Sequence, residues 1–105
     1  MLPPQYEEDG LAVAERSRAV PKKPPLFRVL LHNDDFTTME FVIHVLQNIF
    51  NLTEDAAVEI MLHVHMRGVG VAGTYTYEIA EMKVAATLAL ARSHEFPLLC
   101  TVDEA

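Results

Sequence analysis

The sequence predicts an α+β fold: one βααβαβ domain, a three-stranded antiparallel sheet covered by three helices, preceded by a flexible N-terminal tail. Three observations carry this. Branched and aromatic residues gather in three short runs, each bounded by polar, glycine or proline signals, as strands require. Between them, apolar residues recur at three- and four-residue spacing, as helices require. Five of the six prolines fall in the first 25 residues, and the only aromatic there is Tyr6, so that segment cannot build a core.

The elements follow in order. Residues 1–25 read as a flexible extension, with at most a transient helical turn over Leu11–Val20, and the domain occupies residues 26–105. Leu26 to His32 forms a strand that Asn33-Asp34-Asp35 stops in a turn. Thr37-Thr38-Met39-Glu40 fits a capping box with Thr37 as N-cap, opening a helix with an apolar stripe of Met39, Val42, Ile43, Leu46, Ile49 and Phe50. Asn51-Leu52 breaks it. Thr53 caps a second helix, with Glu54 and Asp55 complementing its dipole and Ala57, Ile60, Met61 and Val64 on one side. Gly68 is placed to end that helix in a left-handed conformation. Gly68 to Tyr77 reads as a glycine-bent strand. Glu78 to His94 is a third, alanine-rich helix, apolar on two adjoining faces and hence expected to pack around most of its circumference. Leu98 to Val102, after Pro97, is the last strand.

Composition narrows the function. A chain of 105 residues has room for one core. The alanine-rich stretch between Lys83 and Arg92 is far shorter than the roughly 20 apolar residues of a bilayer span, and Glu7, Glu8 and Asp9 occupy the place of an export signal's basic start. A cytoplasmic protein with no membrane partner is expected. The single Cys100 excludes an internal disulfide, and no zinc-ligand spacing occurs. Residues 1–25 are balanced at four acids and four bases, so the net charge of −7 sits in residues 26–105. Such a surface repels nucleic acid and favours a cationic or amine-bearing ligand.

Among chemically capable residues, Asn33-Asp34-Asp35 ahead of Thr37 allows two readings. One is a solvated turn with its cap; the other is an amine site, since grouped carboxylate and amide oxygens suit a charged group with three N–H donors. His63 and His65 point about 200° apart on a helix and cannot share an ion. His65 falls on a stripe with Val58, Met61 and Leu62, so it is either a half-buried core histidine or, as a neutral imidazole, an acceptor in the amine site. His32, His44 and His94 show no ligand spacing. The methionines are core filler, or, for Met39 and Met61, the lining of an adaptable pocket. No nucleophile elbow, phosphate loop or acid/base pair is present, so no enzyme is expected.

The runs LFRVLLHNDDFTTMEFVIHVL, EIMLHVHMRG, EIAEMKV and HEFPLLCTVDEA resemble the ClpS family, small adaptors of the bacterial Clp AAA+ unfoldase and protease, across residues 24–104. The resemblance implies the same βααβαβ sandwich and an adaptor for N-degrons, proteins that begin with Phe, Tyr, Trp or Leu. It implies that Asn33, Asp35 and His65 hold the α-amino group, with Asp34 adding negative potential. It places Thr37, Met39, Val42, Met61, Val64 and Leu98 around the side-chain pocket, Met39 being the gate against β-branched residues. Glu78 and Lys83 match positions that contact the N-terminal domain of a ClpA-type unfoldase, and residues 1–25 correspond to the extension engaged during hand-off. No cofactor is implied, and a monomer is expected. The alternative is a ribosomal-stalk-like interaction domain without an amine pocket.

Overall fold

The computed structural model describes residues 23–105. The expected extension therefore lies outside the described residues, apart from Lys23, Pro24 and Pro25, which are exposed. From there the order is β1 (Phe27–His32), α1 (Met39–Asn48), α2 (Glu54–Arg67), β2 (Val69–Tyr75), α3 (Tyr77–Ser93) and β3 (Leu99–Glu104). The predicted βααβαβ domain is the observed one. β1 is the central strand, antiparallel to β2 on one side and β3 on the other.

Alternation along β1 sets the layers. Val29 and Leu31 are fully buried under the helices, while Arg28, Leu30 and His32 take the opposite face, as period-two side chains must. On that face Arg28 donates two hydrogen bonds to its cross-strand partner Asp103, at 3.0 and 2.9 Å, and His32 Nε2 lies 2.8 Å from Thr101 Oγ1. Pairing of β1 with β2 passes from Val29–Gly73 to Leu30–Val71, leaving Ala72 as the extra residue of a β-bulge. The irregularity of this strand thus falls at Ala72, not at a glycine.

The helix ends show one correction. Thr38, not Thr37, is the N-cap of α1, its hydroxyl accepting the Phe41 N–H at 3.1 Å. The third helical position is then Phe41, so Glu40 cannot close a capping box. Thr37 is unavailable because Asp34 holds it, as described below. Thr53 caps α2 as expected, and Gly68 ends it at φ 90°, a conformation that strains any residue with a Cβ. Asn51 and Glu95, both left-handed, turn the chain out of α1 and α3.

The core joins Val29 and Leu31 to Phe41, Val42, Val45 and Leu46 of α1, Ala57, Met61 and Val64 of α2, and Leu98 and Cys100. The Cys100 thiol is pushed up to about 11 by burial, against a hydrogen bond with Thr87 that lowers it, so it is neutral core filler. α3 is less enclosed than its composition suggests. Only Ala80, Thr87 and Ala91 are buried, a single narrow stripe, because the sheet offers it one face and Ile79 and Met82 are left exposed. β3 begins at Leu99, not Leu98, and runs on to Glu104.

Candidate functional site

The site forms where the end of β1 meets the end of α2. Asn33 donates its backbone N–H to the Gly68 carbonyl at 2.9 Å, fixing the loop after β1 beside the last turn of α2. Close approach is built in two residues later as well: a Cβ on Gly70 would lie 2.7 Å from Val64 Cγ2, so glycine there lets β2 lie against α2.

Asp34 then shapes the loop. Its carboxylate accepts the backbone N–H of Phe36 at 2.8 Å and of Thr37 at 2.7 Å, and the Thr37 hydroxyl at 2.8 Å. Partial burial alone raises its pKa, but these three bonds together outweigh it and hold the carboxyl below its ordinary range. The Asp34 carboxylate is thus committed to the turn. Asn33 and Asp35, on either side of it, are exposed and face a cavity.

That cavity has a volume of about 360 Å³, in the range of small-ligand sites. Asn33, Asp34, Asp35 and His65 line one part of it, Val42, Met61 and Val64 are its buried apolar lining, and Thr37, Thr38, Met39 and Glu40 complete the wall from α1 and the loop before it. Three of the lining residues are carboxylates, and none is lysine or arginine. A cation is therefore the ligand that this lining attracts. Among the described residues, the side chains of Asn33, Asp35 and His65 are not committed to hydrogen bonds within the chain, in contrast to Asp34. His65 is exposed and lines the cavity, which removes the half-buried core reading.

The structure thus brings together Asn33, Asp34, Asp35, Thr37, Met39, Val42, Met61, Val64 and His65 in one cavity. Leu98 is not among its lining residues: at 4% exposure it belongs to the core. Thr38 and Glu40 line the cavity and were missed by sequence reasoning, because a threonine and a glutamate at a helix start look like capping residues. Glu78 and Lys83 lie elsewhere, on α3. Glu78 is exposed in the first turn. The Lys83 ammonium donates to the Ile49 carbonyl at 2.6 Å and stands 5.7 Å from the Tyr75 ring centroid and 6.0 Å from that of Phe50. Lys83 therefore joins α3 to the end of α1, and its side chain borders a second cavity with Ile49, Ile79, Met82 and Ala86.

Known proteins resemble this chain in sequence and in fold. Residues 22–101 match the family described as ATP-dependent Clp protease adaptor protein ClpS. The chain is 54% identical over 95 residues to the ATP-dependent Clp protease adapter protein ClpS of Hyphomonas neptunium, covering 90% of this chain and 80% of that one. It is 54% identical over 97 residues to that of Methylococcus capsulatus, covering 92% and 91%. Among solved structures, Agrobacterium tumefaciens ClpS2 bound to L-phenylalaninamide superposes with a TM-score of 0.76 at 35% identity, over 79% of this chain and all of that one. Match, length and architecture agree: the chain belongs to the ClpS family of Clp protease adaptors.

Proposed function

We propose that this adaptor captures proteins by a free N-terminal ammonium followed by a large apolar side chain, Phe, Tyr, Trp or Leu, and passes them to a ClpA-type AAA+ unfoldase for degradation in the cytoplasm. The observation that carries this is the division of one cavity into uncommitted acceptors, Asn33, Asp35 and His65, and an apolar lining of Val42, Met61 and Val64. Every protein terminus has an α-ammonium and no internal residue does, so grouped acceptors read position in the chain. Burying a Leu or Phe side chain beneath adds roughly 1.5–3 kcal/mol, which small or charged first residues forgo. Asp34 contributes negative potential and the loop's shape. The phenylalaninamide bound to the Agrobacterium relative pairs the same two features, an amine and an aromatic side chain.

Delivery is read from two further features. Glu78 on the exposed start of α3 and the α3 surface around Lys83 form the contact with the unfoldase's N-terminal domain, and residues 1–25 are the segment it engages. The adaptor acts as a monomer. Fluorescence anisotropy of the full chain with a Phe-initiated peptide and its N-acetylated twin tests the recognition step. Acetylation removes the charge and two donors, so binding should fall by about ten-fold or more; equal binding of the two overturns the amine reading. Removing residues 1–20 should leave peptide binding intact and stop degradation of a reporter by the Clp machine.

A further inference from the structure

His44 and His94 have no ligand spacing in sequence, yet the fold sets their rings side by side. His44 lies on the outer face of α1 and His94 caps the C-terminus of α3; both are exposed, with ring centroids 6.5 Å apart. Phe41 backs both rings, at 5.1 Å from His94 and 6.3 Å from His44. His94 Nδ1 is 3.1 Å from the Leu90 carbonyl oxygen and 3.2 Å from Ser93 Oγ; with the Ser93 hydroxyl donated to that same carbonyl at 2.8 Å, both neighbours are acceptors, which favours the tautomer with its proton on Nδ1. His44 Nδ1 is 3.0 Å from the Asn48 side-chain amide nitrogen, which also donates to the His44 carbonyl at 2.9 Å. In each ring Nδ1 is engaged with its own helix. Nε2 is the atom left for a ligand.

We infer that His44 and His94 form a two-imidazole site for a divalent late first-row transition ion, bound through both Nε2 atoms with water in the remaining positions. Imidazole nitrogen suits zinc, nickel and copper, and a carboxylate-free pair excludes magnesium and calcium. With metal–nitrogen bonds of about 2.0–2.1 Å, ring centroids stand about 5 Å apart for a bent pair and about 6.5 Å for a linear one. The observed separation of 6.5 Å lies at the linear end of that range. Among the described residues no group of three or more His, Cys, Asp or Glu side chains could hold a metal ion, so two imidazoles are all that the proposed site draws from the protein.

The surroundings distinguish the two ligands. His94 already has the support that fixes a metal-binding imidazole, an Nδ1–H held by a carbonyl. His44 is opposed: the Asn48 amide nitrogen, held by its bond to the His44 carbonyl, faces Nδ1 and favours the tautomer with its proton on Nε2, so an ion can bind there only after that amide gives up both contacts. Asn48 thus limits the affinity. A bound ion would tie α1, which carries Met39 and Val42 of the peptide cavity, to the end of α3. This inference does not depend on the peptide reading.

The test titrates zinc and nickel into the full chain by calorimetry and follows the imidazole NMR signals, with His32, His63 and His65 as internal controls. One ion should bind per chain and shift His44 and His94. His44→Asn and His94→Asn should each weaken binding about ten-fold or more, and Asn48→Asp should tighten it several-fold because a carboxylate accepts the Nδ1–H. A purely structural Asn48 would not produce that gain. Shifts at His63 or His65 instead, unaltered affinity in both histidine variants, or no binding below about 1 mM overturns the site. The wild-type spectra decide the matter whether or not a variant folds.

Discussion

Asp34 holds Thr37 twice, through its backbone N–H at 2.7 Å and its hydroxyl at 2.8 Å. Those two bonds, with a third from Phe36, take the middle residue of Asn33-Asp34-Asp35 out of the set available to a ligand and use it to aim the other two. They also explain why Thr38, not Thr37, caps α1.

Asp34 should make stability depend on acid. Its folded pKa lies below the ordinary carboxylate value, so its contribution is complete above the unfolded pKa of about 3.9 and is lost as pH falls through the lower folded value. Thermal melts of the protein and of Asp34→Asn should differ by about 1 kcal/mol near neutrality and converge at the acid end. Curves that stay parallel down to low pH would show that the charge contributes nothing.

Asp35→Ala and His65→Ala should leave melting within experimental scatter, since both side chains are exposed, and weaken a Leu- or Phe-initiated peptide about ten- to hundred-fold by removing charge-assisted bonds. Circular dichroism and peptide anisotropy check the two halves. A variant that binds as tightly as the parent removes that residue from the amine site.

Met39 is 42% exposed at the cavity wall, so shortening it should cost little stability and widen the entrance. Met39→Ala should bind Ile- and Val-initiated peptides that the parent rejects. Continued exclusion of both assigns the gate to another wall residue.

Lys83 and Glu78 should separate in stability assays. Lys83→Met keeps the alkyl stem but deletes the ammonium on the Ile49 carbonyl at the end of α1, costing about 1 kcal/mol, whereas Glu78→Ala should be neutral. Denaturant unfolding measures both. Pull-down with the unfoldase N-terminal domain should then register Glu78→Ala without any loss of fold, and unchanged unfolding of Lys83→Met would show its ammonium bond to be idle.

Local physics made much of this legible. The strand stopped at Asn33-Asp34-Asp35, the Thr53 cap and the Gly68 terminator each depend on near neighbours, and the sequence displays those directly. What escaped depends on competition or on distance. Thr37 and Thr38 are equivalent as caps until Asp34 claims one of them. The alanine-rich α3 looked enclosed because composition does not say how much sheet is available to cover it. Leu98 looked like pocket wall although the chain enters the core there, and the Ala72 bulge depends on how β2 pairs with β1. His44 and His94 are brought together only by the packing of α1 against the end of α3.

The bond between the Asn33 N–H and the Gly68 carbonyl involves main chain at both ends. This link between the two halves of the cavity needs no side chain; it depends on the number of residues between them. One residue inserted between His65 and Val69 would turn His65 about 100° around the helix relative to the loop. Substitutions around the cavity leave this main-chain link in place, whereas an insertion or deletion at the junction of α2 and β2 should break it.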